Sequence, residues 1–460
     1  MIGILTILAA LLALMYLAYR GLSLLLLTPA LALLAVLAAD GGPVLASYTQ
    51  VFMQETGGFI IQFFPLFLLG AVFGKLMEAS GSARVLAEAI IRGLGPQRAI
   101  LAVILCGAAM TYGGVSLFVV AFAVWPIASA LFREADLPKR LIPATIALGA
   151  FTFTMTALPG TPAIQNAIPM PYFGTTPFAA PGLGVLTALM MLGLGWAWLE
   201  RRARVLGPGY GADAEADAAD APARDLPLLA IAAAPLLLVL LLNLAFTFVV
   251  IPAMDTDYLD LPEFGETDVG SVRGVWSVIS ALSIASVVLI ALNWRRLGEG
   301  LGNTLDAGAK DSLKPIFNTA SLVGFGAVIA SLSAFGVIRD WVVTVGGDNP
   351  LISLAVGTSL LAGMTGSASG GMSIALSTLG ETYLEMGLAA GISPDLLHRV
   401  TAVATGGLDA LPHNGAVITL LTICGLTHKE AYKDIAVVAV LIPILALIVL
   451  VTLGTLFGSF

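Results

Sequence analysis

Eight apolar runs of roughly membrane-spanning length set the strongest limit on what this chain can fold into. They occupy residues 2–18, 22–39, 58–76, 182–199, 228–250, 271–293, 316–337 and 434–457. A bilayer core about 30 Å thick requires about 20 apolar residues in helical conformation. Only 11% of the 460 residues are charged, whereas soluble domains carry about 25%. The sequence therefore predicts an all-α polytopic membrane protein.

Four further apolar regions, 97–131, 140–176, 350–388 and 395–427, are interrupted by Gly, Pro, Ser and Asn. Region 97–131 begins at Arg98 and ends at Arg133, and basic residues mark the cytoplasmic side. It therefore predicts a re-entrant hairpin, as does 350–388, which lies between Asp348 and Glu385 on the outer side. The other two regions are predicted to cross as discontinuous helices. The total is about ten spanning helices and two hairpins, with both termini outside.

The two halves of the chain share short motifs in the same order. Gly113-Gly114-Val115-Ser116 matches Gly370-Gly371-Met372-Ser373, and Ala157-Leu158-Pro159 matches Ala410-Leu411-Pro412. Because the charge pattern gives the halves opposite orientation, the sequence predicts inverted-topology repeats, which are typical of secondary transporters. The predicted division is 1–57, N-terminal membrane helices; 58–200, the first transport repeat; 201–227, an acidic cytoplasmic linker; 228–315, connecting helices with an acidic external loop; and 316–460, the second transport repeat.

The break in the first repeat carries groups suited to a carboxylate. Thr161 followed by Pro162 is typical of a helix N-cap and first helical residue. The N–H groups of the new helix would face an anion, and Gln165 and Asn166 would add amide donors. The alternative is a Pro/Gly kink without a ligand.

The break in the second repeat contains Asp409, His413 and Asn414. Asp409 and His413 are the acid and histidine that the predicted topology places deep in the membrane, where ionisable groups are costly and usually functional. They are predicted to link transport to protons, and Asn414 to contact the substrate. The alternative is structural, with Asp409 as a cap and His413 as a satisfied core residue.

The two hairpin tips are rich in small and hydroxylated residues that can bind substrate oxygens. The candidates are Gly113, Gly114 and Ser116 in the first repeat and Ser367, Ser369, Gly370 and Gly371 in the second. Glycine allows close approach of a ligand to the backbone, and the serine hydroxyls could also coordinate Na⁺. The alternative is tight helix packing, which small residues also favour.

Two segments resemble the gluconate permease (GntP-type) family of the ion transporter superfamily: LPGTPAIQNAIPMPYFGTTPFAAPGLG (158–184) and LDALPHNGAVITLLTICGLTHKEAYKDI (408–435). The second segment is similar to the branch of hydroxy-acid permeases of the hydroxybutyrate type. The resemblance implies proton-coupled uptake of sugar acids or short hydroxy-carboxylates, a homodimer and an elevator-type motion. The family's His-Pro-Gly-Pro character is replaced here by Leu158-Pro159-Gly160-Thr161-Pro162, which disfavours gluconate itself.

We therefore expect a secondary active symporter of a small organic acid anion, driven by protons, in the inner membrane of a bacterial cell and in contact with its lipid. A Na⁺-coupled carboxylate symporter is the alternative. An intramembrane acid/base enzyme and a channel are further alternatives with less support, because the sequence shows no nucleophile–base motif and the broken helices predict an occluded site. No cofactor, bound metal or nucleic-acid partner is expected.

Overall fold

The computed structural model describes residues 2–39, 41–115, 117–211, 226–347 and 349–460. Ser116 of the first predicted tip, most of the predicted linker 201–227 and Asp348 at the predicted hairpin start lie outside the described residues. The part of the chain that the structure describes forms helices joined by turns, with no strand. The fold is that of an all-α polytopic membrane protein, as predicted.

The helices carry the following labels, in chain order: α1 Ile2–Tyr19, α2 Leu24–Ala39, α3 Val44–Ala79, α4 Ser82–Leu94, α5 Ala99–Tyr112, α6 Leu117–Glu134, α7 Ile142–Ala150, α8 Pro181–Leu206, α9 Leu229–Ala253, α10 Val269–Leu292, α11 Leu301–Ser331, α12 Phe335–Thr344, α13 Pro350–Thr365, α14 Ala368–Ala389, α15 Pro394–Thr405, α16 Gly415–Ile423 and α17 His428–Phe457. Short helical turns occur at Phe153–Thr156, Ile164–Ala167, Pro169–Phe173 and Leu408–Ala410.

The eight predicted apolar runs all coincide with helices. Among the described residues, six helices (α3, α8, α9, α10, α17 and α11 with the short helix before it) are long and apolar enough to cross a membrane. Two predicted domain boundaries fall within helices of the structure: 57/58 lies inside α3, and 315/316 lies inside α11. Both boundaries were drawn where hydrophobicity rises, but each helix begins earlier with polar turns. The short helices α4 and α12, which precede the two hairpins, were not predicted.

Capping side chains explain where the second-half helices begin. Asn349, Ser367, Ser393 and Asn414 stand before α13, α14, α15 and α16, and each accepts a hydrogen bond from a backbone N–H of the following turn. Such caps satisfy N–H groups that have no partner within the helix, and each contributes about 1 kcal/mol. Pro350 and Pro394 occupy the first position of α13 and α15, where the missing N–H costs nothing.

A pair of long helices, α3 and α11, packs closely at glycine positions. A methyl group built on Gly308 of α11 would lie 2.7 Å from Val72 Cα, and one on Gly324 would lie 2.6 Å from Phe52 O. Small residues let the two backbones approach in this way. Helix α2 joins the pair through the buried hydroxyls of Thr28 and Ser321.

The broken helices and hairpins of the two halves pack reciprocally. Hairpin helix α6 contacts α16, which follows the second break, and hairpin helix α14 contacts the Ile164–Ala167 turn, which follows the first break. Helix α15 lies in the middle of this arrangement, and every residue from Leu396 to Thr405 is buried. The elements that contain the predicted site therefore form one interlocked unit.

Candidate substrate-binding site

The four interrupted segments of the sequence form a contiguous cluster. A methyl group built on Gly114 of the first tip would lie 3.2 Å from Pro162 of the first break. One built on Gly406 of the second break would lie 3.0 Å from Thr156 of the first. Gly366 of the second tip lies against His413 of the second break, with a corresponding distance of 2.7 Å. The structure thus brings together the segments that the sequence predicts to meet.

The second tip turns at Gly366 and Ser367, between α13 and α14. Gly366 adopts a left-handed conformation with φ of 61°, and Ser367 Oγ accepts a hydrogen bond of 3.1 Å from Gly370 N–H. Ser369 Oγ lies 3.2 Å from Thr319 Oγ1 on α11. Both predicted serines therefore form bonds within the protein while remaining half-buried at the tip.

Gly370 and Gly371 do not occupy the place that the repeat motif suggested. The matching residues Gly113 and Gly114 end the first hairpin's descending helix, and Gly114 has φ of 92°. Gly370 and Gly371 instead lie in the first turn of α14. A methyl group built on Gly371 would lie 2.2 Å from Ala362 N, so this glycine permits contact between the two hairpin helices. The motif match is therefore not a structural equivalence.

The second break is tied to the second tip by His413 and Asn414. His413 Nε2 donates to Gly363 O at 2.9 Å, and Asn414 Nδ2 donates to Gly366 O at 3.0 Å. Asn414 Oδ1 accepts from the N–H groups of Ala416 and Val417, which makes it the N-cap of α16. Both side chains thus position the break.

Asp409 lies on the helical turn Leu408–Ala410 of the second break. Its Oδ1 is buried and has no hydrogen-bond partner among the described residues. Within that same part of the chain no hydrogen bond joins Asp409 to His413, whose Nε2 is engaged by Gly363. Tyr432 approaches from α17 and donates to Ala410 O at 3.1 Å. The structure therefore places the acid in the cluster without the histidine as its direct partner.

The first break begins its helix later than predicted. Thr161 Oγ1 accepts from Ala163 N–H at 3.3 Å, and the helical turn starts at Ile164 with Ala163 as N-cap. The prediction that Thr161 is the N-cap and Pro162 the first helical residue is therefore wrong. The physical reason is a local turn, in which a threonine hydroxyl captures a nearby backbone N–H before the helix can form. Thr161 itself is 1% exposed.

Asn166 has no free donor for a substrate in this structure. Its Nδ2 donates to Thr161 O at 3.0 Å and to Pro177 O at 2.9 Å. Its Oδ1 accepts from Arg399 Nη1 at 3.0 Å and lies 3.2 Å from His398 Nε2. The predicted substrate ligand is thus a fully bonded crosslink within the protein.

Sequence reasoning missed Arg399 and His398 of α15, both 0% exposed. The Arg399 guanidinium donates to Thr156 O at 3.0 Å, to Ala179 O at 2.8 and 3.1 Å and to Pro177 O at 3.5 Å, in addition to its bond with Asn166. His398 Nδ1 lies 2.7 Å from Thr175 Oγ1. The second half therefore holds the unwound backbone of the first half through a buried cation.

Several buried polar atoms in the four segments remain without a partner. Besides Asp409 Oδ1, they are Thr111 Oγ1 beside the first tip, Gln165 Oε1 in the first break and Ser373 Oγ in α14, considering the described residues alone. A buried polar atom without a partner costs about 1–3 kcal/mol. A polar ligand that bonds to such atoms would remove that cost, so these side chains are candidates for contact with a substrate.

Comparison with known proteins identifies the class of the molecule. No family model matches the sequence. The "Uncharacterized transporter YxjC" of Bacillus subtilis (strain 168) is 45% identical over 444 residues, which cover 93% of this chain and 94% of that protein. The crystal structure of the Alcanivorax borkumensis YdaH transporter, described as having an unusual topology, has a TM-score of 0.49 and 18% identity, covering 92% of this chain and 90% of that one. On the basis of its relative in Bacillus subtilis, the chain belongs to the YxjC family of multi-pass membrane transporters.

Proposed function

We propose that this transporter is a secondary active symporter of a small organic carboxylate, coupled to protons and working by an elevator-type alternation. The observation that carries the proposal is the joined pair of broken helices, which contains buried polar atoms without a partner among the described residues, Gln165 Oε1 and Asp409 Oδ1, and is joined by a buried arginine. A short hydroxy acid or sugar acid, other than gluconate, is the substrate class that the family resemblance favours.

The charge of the cluster supports an anionic substrate. Arg399 is fully buried and forms no salt bridge among the described residues, and the acid that interacts with it electrostatically is Asp395, one helical turn earlier. Its donors are used by carbonyl and amide oxygens, so it contributes a fixed positive charge in a low-dielectric interior, where charges act over longer distances than in water. Gln165 lies in the adjacent turn, and its Oε1 has no hydrogen-bond partner within the described part of the chain. The amide nitrogen of the same side chain supplies the N–H donors that a carboxylate requires, so Gln165 is our preferred carboxylate ligand.

The reciprocal packing of the halves supports the elevator-type motion. Arg399 and Asn166 join α15 of the second half to the first break, and Gly406 adjoins Thr156. A rocking motion of one half against the other would break these buried bonds. A motion of the whole cluster as one rigid unit against helices α3 and α11 would preserve these bonds. Such a rigid-unit motion is what we mean by an elevator-type mechanism.

Asp409 is our candidate for the coupling group. When ionised it would repel an anionic substrate, and protonation would remove the repulsion, so proton and substrate would each favour the other's binding. We therefore expect Asp409→Asn in proteoliposomes to abolish accumulation driven by a pH gradient while sparing substrate exchange. The matched control is Asp306→Asn, which removes an exposed acid paired with Lys310.

The outcomes of this experiment separate the alternatives. Accumulation by Asp409→Asn against a gradient, in response to a pH difference, would show that Asp409 is not the coupling group. Uptake by the unchanged protein that requires Na⁺ and ignores the pH difference would replace the proton with sodium, for which Asp409 and the tip serines Ser367 and Ser369 would be the candidate ligands. Passive equilibration without accumulation would indicate a channel, and conversion of the compound would indicate an enzyme.

A further inference from the structure

A second cavity lies away from the cluster of breaks, at one end of the molecule. It has a volume of about 540 Å³ and is lined by the segment after Phe173, by Phe248 of α9 and by the first turns of α10 and α15. The same end carries the chain terminus, where Gly182 N–H donates to Phe460 O at 2.7 Å. The predicted topology places this end outside the cell.

One arginine lines the cavity with a donor that is not used within the protein. Arg273 of α10 lines it, and the Arg273 Nε atom is buried with no hydrogen-bond partner among the described residues. A guanidinium presents five N–H donors in a fixed plane that matches a carboxylate with two parallel bonds. A guanidinium with an unused Nε–H donor in an apolar-walled cavity is therefore suited to a carboxylate.

Two arginines share the acid that lines the cavity. Asp395 lies one helical turn before Arg399, and its carboxylate interacts electrostatically with both Arg273 and Arg399. The negative charge of Asp395 is thus divided between Arg273, which lines the cavity, and Arg399, which is buried away from the lining, so the Arg273 charge is only partly offset. The acidic residues of the loop before α10, such as Asp260 and Glu263, are exposed to solvent, where salt screens charges beyond about 8 Å.

The cavity also borders the first break. Thr175 forms part of its lining, and Thr175 Oγ1 bonds to His398 Nδ1. His398 and Arg399 are neighbours that both contact Asn166. A ligand in the cavity would therefore lie one layer of side chains away from the candidate substrate site.

We propose, on the basis of the function proposed above, that this cavity is an external capture site for the carboxylate substrate, with Arg273 as its anion ligand. The substrate binds there before it enters the central cluster. Phe173, Phe178 and Phe248 provide the apolar wall for its carbon chain.

The first test measures the charge of the cavity without a known substrate. Phe178→Cys in the full-length protein places a thiol in the cavity, while the native Cys106 and Cys424 are buried. The rates of modification by an anionic and a cationic methanethiosulfonate reagent are compared in proteoliposomes, with and without Arg273→Gln. The anionic-to-cationic ratio should fall about fivefold when the arginine charge is removed. Arg339→Gln, which removes an exposed arginine paired with Asp340, should leave the ratio unchanged.

An unchanged ratio in Arg273→Gln, or an equal fall in Arg339→Gln, would overturn the proposal. If Phe178→Cys does not fold, Phe248→Cys, whose parent side chain is 57% exposed, provides the thiol. The second test is uptake of radiolabelled 3-hydroxybutyrate, for which Arg273→Gln should raise KM about tenfold at unchanged kcat. An unchanged KM would overturn the capture role while leaving the transporter intact. Absence of uptake of every carboxylate by the unchanged protein would instead contradict the proposed function. The thiol experiment would in that case still test whether the Arg273 charge controls anion access to the cavity.

Discussion

Replacement of Arg399 by methionine is the sharpest test of how the two halves are joined. Methionine keeps most of the side-chain length but removes the charge and all donors. Two acceptors, Thr156 O and Ala179 O, would lose the side-chain partner that Arg399 supplies, and no other side chain among the described residues bonds to them. Pro177 O and Asn166 Oδ1 would keep other contacts, with Asn166 Nδ2 and His398 respectively.

The expected cost follows from these two orphaned carbonyls. Each buried acceptor without a partner costs about 1–3 kcal/mol, and removal of a desolvated charge offsets part of that sum. We therefore expect Arg399→Met to destabilise the protein by about 2–4 kcal/mol. Arg399→Lys should cost less, because it retains the charge and three donors, but it cannot reach all four oxygens at once.

Thermal unfolding of the purified protein in detergent provides the measurement. Arg92→Gln is the control, because the Arg92 side chain is 74% exposed and its replacement should change the free energy of unfolding by less than about 0.5 kcal/mol. A double-mutant cycle with Asn166→Ala should give a coupling of about 0.5–3 kcal/mol, since the two residues share one bond. Equal stability of Arg399→Met and Arg92→Gln would refute the reasoning, as would strict additivity with Asn166→Ala.

Three further predictions concern the cluster and its topology. Gln165→Ala should weaken carboxylate uptake with little loss of stability, whereas Asn166→Ala should lower the unfolding temperature, because Asn166 is fully bonded within the protein and Gln165 is not. Uptake kinetics and thermal unfolding of the two variants provide the test. Equal effects of both changes on stability would contradict the distinction. Gly371→Ala should lower the free energy of unfolding by about 1–3 kcal/mol through overpacking against Ala362. The control is Gly70→Ala, whose added methyl group meets no atom within 4 Å and which should be neutral or stabilising. A Gly371→Ala variant of unchanged stability would show that the hairpin helices can separate. Cysteines at positions 98 and 133 should react from the cytoplasmic side only, as a re-entrant hairpin requires, and labelling from opposite sides would mean that 97–131 crosses the membrane.

The sequence predicted the membrane helices well because apolar length and the placement of Gly and Pro act locally. The hairpin turns at 113–115 and 366–367 fall within the predicted tips, and both discontinuous helices break where Pro and Gly interrupt the apolar pattern. Helix starts were less predictable. Thr161-Pro162 has the composition of a helix start, yet the chain remains extended to Ala163, because a hydroxyl-to-backbone bond competes with the helix over one or two residues. Matching motifs also did not predict equivalent positions in the two hairpins: Gly113 follows the end of a helix, whereas Gly370 lies in the first turn of one.

The role of Asn166 could not be predicted because the partners of its side-chain oxygen, His398 and Arg399, are 232 and 233 residues away in the sequence. The amide was assigned to a substrate on the basis of neighbouring residues alone, and the distant Arg399 and His398 take its oxygen instead. A signal for these partners was nevertheless present. His398 and Arg399 follow Leu396-Leu397 and precede a run of Val, Ala and Thr within the predicted region 395–427. The rule that intramembrane ionisable residues are functional, applied to Asp409 and His413, applies equally to this pair.

The position of Arg399 changes the electrostatic argument for coupling. With His413 bonded to Gly363 O, the charged groups near the cluster are Arg399, its acid neighbour Asp395 and Asp409 of the second break, whose Oδ1 has no hydrogen-bond partner among the described residues. If Asp409 is ionised, its negative charge adds to that of Asp395 and weakens the attraction of the Arg399 charge for an anion. If Asp409 is protonated, this added negative charge is absent, and a carboxylate can take its place. Proton and substrate would thus enter together as a neutral pair of charges, and the cost of moving the cluster through the membrane would be similar when it is empty and when it is loaded.

Asp409→Asn fixes the state without the aspartate charge, so the variant should bind carboxylate at least as tightly as the unchanged protein while losing the pH dependence of binding. Weaker binding by Asp409→Asn would show that the aspartate contacts the substrate or a cation directly, and it would contradict this account of coupling.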